Sequence, residues 1–212
     1  MEKQPKRPNL VLVFPDQMRG SAMGFLKEEP VITPNLDRFA AESLVLPDAV
    51  SNYPVCSPFR AMLMTGQWPH RNKVISNCNS NTAPFGVELQ EASRCWSDVL
   101  SDEGYAMAYI GKWHMDAPYK PYVKSYNNKP HHAWNEWCSP QRRHGFQYWH
   151  AYGTFDQHMS PEYWTTDMKR DDRLKVDRWG PEHEADLAVE YIRNAGGKFR
   201  DRVLCYCDTP SE

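Results

Sequence analysis

"LVLVF", residues 10–14, is an unbroken apolar run that Pro15-Asp16-Gln17 closes. Such a run is the mark of a strand buried on both faces, in a sheet with helices above and below. "YAMAYI", residues 105–110, repeats the pattern and passes directly into Gly111-Lys112-Trp113-His114, and residues 203–207 make a third strand. Helical signals lie between them. Thr33 is placed to cap a helix with Pro34 in its first turn, and Leu36, Phe39, Ala40 and Leu44 form its inner face. In "CSPFRAMLMTG", residues 56–66, Ser57 reads as an N-cap, Phe59, Met62 and Leu63 as an inward stripe, and Gly66 as the stop. A helix over 93–103 turns Trp96, Val99 and Leu100 inward and closes at Gly104. Another over 181–194 carries Ala185, Ala188 and Ile192 on one face and stops at Gly196-Gly197. Alternating strands and helices predict an α/β fold with a mixed, largely parallel sheet sandwiched by helices.

The composition narrows the function. A net charge of −2, from 25 Lys and Arg against 27 Asp and Glu, offers no basic face for nucleic acid. Six cysteines without paired metal spacing, and a basic start, residues 1–8, without an apolar segment, predict reduced thiols and a cytoplasmic protein. No apolar run approaches the ~20 residues that span a bilayer, so no membrane partner is expected. Residues 115–180 read as a loop-rich excursion containing Trp134, Trp137, Trp149, Trp164 and Trp179. Such indoles either fill a core or stack on sugar faces.

The chemistry-bearing residues follow the strands. Ligands of open α/β sheets bind at the carboxyl ends of the strands, where this chain has Asp16-Gln17 and then Lys112 and His114. Asp16 reads either as a hard-metal ligand beside the Gln17 amide oxygen or as a turn residue. Lys112 and His114, two apart, point the same way on an extended segment and suit an anion such as sulfate or phosphate. Cys56 falls just ahead of a helix N-terminus, a place that favours an anion or a thiolate; the other reading is a buried, inert cysteine.

Taken in order, these blocks resemble one family. Cys56-x-Pro58-x-Arg60 with Thr65-Gly66 is similar to the signature of the formylglycine-dependent sulfatases, a branch of the alkaline-phosphatase superfamily. "RPNLVLVFPDQ", "TPNLDRFAAES", "TGQWPHRNKV", "YIGKWHMD", "HGFQYWHAYG" and "EADLAVEYIRN" resemble its successive blocks. The resemblance implies an alkaline-phosphatase-like fold and hydrolysis of a sulfate ester on a small molecule or carbohydrate. It implies a Cys56 oxidised by a maturation enzyme to Cα-formylglycine. It assigns Asp16, Gln17 and residue 56 to a divalent metal, usually Ca²⁺. Arg60 would orient the modified side chain, Lys112 would bridge it to the sulfate, and His114 would contact the sulfate or the leaving oxygen. Gln17 stands where many members have Asp, and Phe59 where Ser is common. Family members are longer, so residues 1–212 correspond to the N-terminal part of the catalytic domain, and the remaining metal ligands and a further Lys fall outside them. Slow or absent turnover by these residues alone is therefore expected. Two alternatives stay open: a phosphonate monoester or phosphodiester hydrolase of the same superfamily, and a non-catalytic truncated remnant.

Overall fold

A computed structural model describes residues 7–155 and 157–194, and the backbone of 202–208. The strands are β1 (Leu10–Pro15), β2 (Ala106–Lys112), β3 (Tyr148–Tyr152), β4 (Glu162–Thr165), β5 (Leu174–Lys175) and β6 (Arg202–Asp208). The helices are α1 (Pro34–Ala41), α2 (Cys56–Thr65), α3 (Pro69–Asn72), α4 (Trp96–Asp102) and α5 (Gly180–Arg193), with short 3₁₀ turns between. The strands form one sheet in the order β1-β6-β2-β3-β4-β5. β1, β6, β2 and β3 pair in parallel, and β4 and β5 continue the sheet antiparallel. This is the mixed, largely parallel sheet the sequence predicts. Among the described residues no helix is long and apolar enough to cross a membrane.

β2 shows why an apolar run without alternation marks an inner strand. Met107 and Tyr109 pack on one side with Ala61 and Met64 of α2 and with Trp96 and Leu100 of α4. Ala108 and Ile110 pack on the other side against Leu187, Ala188 and Tyr191 of α5. β1 departs from that expectation. It lies at the edge of the sheet, Leu12 and Phe14 touch the core, and Val11 and Val13 are each 55% exposed. Period-2 geometry turns alternate residues to a face that nothing among the described residues covers.

Helix faces also differ from the sequence reading. α2 starts at Cys56 with Val55 as N-cap, so Ser57 lies inside the helix, and the buried face is Ser57, Pro58, Arg60, Ala61 and Met64 rather than Phe59, Met62 and Leu63. A polar Ser and Arg occupy the inward row because each is hydrogen-bonded there, which hydrophobic periodicity does not register. Gly66 ends the helix as predicted, at φ 66°. α1 has no buried residue, and Phe39 is 69% exposed, so its apolar stripe faces outward. Val99, Ala185 and Ile192 are likewise exposed rather than inward. α5 buries Gly180, Pro181, Glu184 and Ala188, the Glu184 carboxylate accepting from the Tyr163 hydroxyl at 2.9 Å. Gly196-Gly197 lies outside the described residues.

The region 115–180 is not all loop, since it supplies β3, β4 and β5. Trp149 and Trp164 are fully buried, as the core reading requires, whereas Trp134 reaches an open cleft. Gly153, just after β3, sits where a Cβ would lie 2.7 Å from Asn135 Oδ1 and 2.8 Å from the Glu136 carbonyl oxygen. Gly153→Ala is expected to destabilise by about 1–3 kcal/mol through forced backbone movement, read as a lower urea midpoint at unchanged slope.

Candidate active site

Strand register builds the site. Phe14 and Gly111 both pair with Cys207 of the intervening β6, so the ends of β1 and β2 are level. Two strand spacings place their backbones about 10 Å apart, a gap that long side chains close. Lys112 Nζ donates to Asp16 Oδ2 at 2.7 Å, and Arg60 donates to Asp16 Oδ1 at 2.9 Å. Arg60 also donates to the Lys112 carbonyl at 2.6 Å, so α2 is tied to both strand ends. Cys56 Sγ completes the cluster, 3.9 Å from Asp16 Oδ2 and 3.8 Å from Lys112 Nζ. Residues separated by up to 96 positions thus converge on one carboxylate.

The electrostatics follow from this packing. Burial alone pushes the Asp16 carboxyl up, but the charges of Lys112 and then Arg60 outweigh it and hold the group at about 2. His114 is 2% exposed, on a left-handed backbone at φ 49°. Burial, then Lys112 and Arg60, push its imidazole down to about 3, so it is neutral at physiological pH rather than the second cation its spacing from Lys112 suggests. Its Nε2 meets the Cys78 carbonyl oxygen at 3.0 Å, which assigns the proton to Nε2 and leaves Nδ1 an acceptor. That Nδ1 is buried and has no hydrogen-bond partner among the described residues. Buried polar atoms of this kind call for an explanation, and an incoming donor supplies one.

Cys56 differs from the other described cysteines. It is partly exposed, whereas Cys78, Cys95 and Cys138 are buried, and all four are free thiols. Burial pushes Cys78 and Cys95 up to about 12 and Cys138 also upward. Cys56 opens on a cleft of about 410 Å³ that Lys112, His114, Asn77, Trp134 and Lys129 also line. The volume falls within the range of sites for small organic ligands. Its lining carries two lysines and no carboxylate, which suits an anion.

Asp16, Cys56, Arg60, Lys112 and His114 are therefore brought to one place, and Gln17 is not. Gln17 is exposed at φ 62° and shares none of the cluster's hydrogen bonds among the described residues. Sequence reasoning missed Asn77, whose side chain accepts the Ser57 amide at 3.0 Å, and the role of Ser57. The Ser57 hydroxyl donates to the His114 carbonyl at 2.7 Å and accepts from the Cys78 amide at 3.0 Å, fastening α2 to the His114 segment. Its place at the second position of the Cys-x-Pro-x-Arg stretch was the available signal.

A family model for Sulfatase matches residues 8–194. The chain belongs to the sulfatase family. An endo-4-O-sulfatase of Bacteroides thetaiotaomicron is 43% identical over 92% of this chain and 40% of its own length. The human N-acetylgalactosamine-6-sulfatase is 31% identical over 74% of this chain and 28% of its own length. A crystal structure from Bacteroides fragilis superposes with a TM-score of 0.95 at 55% identity, covering 99% of this chain and 45% of that one. The chain thus spans less than half the length of these sulfatase relatives.

Calcium takes six to eight oxygen ligands. In this sulfatase chain both oxygens of Asp16 are engaged by Lys112 and Arg60, and Gln17 stands apart in solvent. The donors in these residues do not by themselves fit a calcium ion.

Proposed function

We propose that this chain carries the nucleophile half of a sulfuric ester hydrolase, acting on a sulfated carbohydrate after Cys56 has been oxidised by a maturation enzyme to Cα-formylglycine. One observation carries the reading: the sole partly exposed thiol among the described residues sits on Asp16 and Lys112 at the mouth of an anion-suited cleft. The names of the relatives, which include an N-acetylgalactosamine-6-sulfatase, support a sugar sulfate as substrate.

The chemistry balances on the hydrated aldehyde. One geminal hydroxyl attacks sulfur and gives up its proton as the bond from sulfur to the ester oxygen breaks, and the departing oxygen takes a proton to become the alcohol, so no net proton is gained or lost. The second hydroxyl then loses its proton, the carbonyl re-forms, and the bond from carbon to the sulfate oxygen breaks. Water restores the hydrate. Lys112 faces the charge that grows during attack, and such a fixed cation is worth most in a partly dehydrated site. Arg60 holds Asp16 and the Lys112 carbonyl in place, and the neutral His114 offers Nδ1 as a hydrogen-bond acceptor.

Expression alongside a formylglycine-generating enzyme is expected to convert Cys56 and none of the other five cysteines. Mass spectrometry of the tryptic peptide 39–60 should show an aldehyde in place of the thiol, and the product should release nitrophenol from nitrophenyl sulfate faster than from a phosphate diester. Unmodified thiol under conditions that convert another sulfatase would sink the reading.

A further inference from the structure

Besides Cys56, Lys112 and His114, the cleft is lined by Tyr126, Lys129 and Trp134. Residues 126–134 form a strap closed by a bridge between Lys129 and His132, whose main chains exchange hydrogen bonds of 2.8 and 3.2 Å. One side chain pins it from inside. Asn128 donates to the Val123 and Asn135 carbonyls at 3.0 and 2.8 Å and accepts from the Trp134 and Asn135 amides at 2.8 and 2.9 Å. Asn135, fully buried, accepts from the Gly153 and Thr154 amides at 2.9 and 3.0 Å and so anchors the strap to the end of β3. Ser80 and Ala133 exchange two more bonds of 2.9 Å on the near side. A loop tied at so many points presents its side chains at little ordering cost.

Two of those side chains point to a ligand larger than sulfate. Trp134 lines the cleft with its ring 6.1 Å from that of His114 and 5.1 Å from that of His132, an aromatic surface in the same cleft as Cys56. Lys129 lines it too, an exposed ammonium 5.5 Å from the Tyr126 ring and, unlike Lys112, engaged with no carboxylate among the described residues. A second cation is superfluous for a substrate whose single charge already meets Lys112.

We infer that the strap is a recognition element for anionic sugars, Trp134 stacking on the pyranose that bears the scissile sulfate and Lys129 pairing with a second anionic substituent, a carboxylate or sulfate on the adjoining sugar. The inference rests on the sulfate-ester reading of the same cleft and adds the substrate class to it.

The test is direct binding to the chain with Cys56 left as a thiol, which cannot turn substrate over. Tryptophan fluorescence is titrated with a disaccharide of 4-sulfated N-acetylgalactosamine and uronate, and with the 4-sulfated monosaccharide. Quenching by both is expected, with the disaccharide bound more tightly. Trp134→Phe should remove most of the quenching, while Lys129→Ala should weaken the disaccharide about tenfold, the size of one charge-assisted hydrogen bond, and leave the monosaccharide within twofold. Equal affinity of the two ligands, or a Lys129→Ala variant that discriminates as the parent does, overturns the inference. Absence of quenching overturns it whether or not nitrophenyl sulfate is hydrolysed. Selective quenching with no aldehyde formed at residue 56 keeps the strap and removes the proposed reaction.

Discussion

Arg60→Ala is expected to lower the unfolding free energy by about 3–5 kcal/mol, the cost of breaking a buried ion pair from one side. Arg60 is 2% exposed, and its guanidinium spans Asp16 Oδ1, the Lys112 carbonyl and, at 5.2 Å, the face of Phe14. Truncation removes all three contacts and leaves a cavity at the joint between α2, β1 and β2. Lys112 still neutralises Asp16, and the Tyr109 hydroxyl, 2.5 Å away, still satisfies the Lys112 carbonyl, so the loss should stay at the lower end of that range. The pH dependence follows from the same pair. The Asp16 carboxyl titrates at about 2 in the fold against an ordinary 3.8, so its contribution is fully present above pH 4 and is lost as pH falls towards 2. That shift amounts to about 2 kcal/mol. Arg60→Ala raises the folded value towards the ordinary one, and the variant should lose less stability than the parent between pH 4 and pH 2. Urea unfolding across that window checks both statements; an acid slope equal to the parent's would show that Lys112 alone holds Asp16.

The residues that make this joint were legible in the sequence for unequal reasons. Asp16 and Lys112 could be placed together because each ends an apolar strand, and parallel strands bring such ends to one edge of the sheet. Ser57 and Arg60 were harder, because an apolar stripe is the signal for an inward helix face and both are polar. Their burial is sustained by hydrogen bonds to residues 16, 78, 112 and 114, partners that only the folded chain brings near. The opposite error, reading Val11, Val13 and Phe39 as covered, came from the same rule. Apolar side chains state that cover is favourable, and in the described residues none lies over them. The strap was illegible for a third reason: Asn128 and Asn135 look like ordinary loop residues, and nothing in their spacing announces that two side chains pin a nine-residue turn. His114 was found by its place after β2, but its charge was not, since burial and two neighbouring cations decide it.

In an extended sulfatase that contains residues 1–212 and bears formylglycine at residue 56, Lys112→Met is expected to lower hydrolysis of nitrophenyl sulfate by about 10²–10³-fold, the usual loss when one preorganised donor is removed from developing charge. Met keeps the length of the buried stem, and the backbone of Lys112 stays fixed by Arg60 and Tyr109, so the fold should survive the change. The decisive readout is the split between kcat and KM. A lysine that only attracts an anionic substrate would raise KM and spare kcat, whereas one facing charge formed during attack lowers kcat. The pH profile gives an independent check. Lys112 is the nearer of the two cations on Asp16, and removing it lets burial push that carboxyl up. The acid limb of the profile should therefore move to higher pH in Lys112→Met. An unchanged kcat together with an unmoved acid limb would place Lys112 outside the reacting cluster and return the 3.8 Å approach of its ammonium to Cys56 to the status of a packing contact.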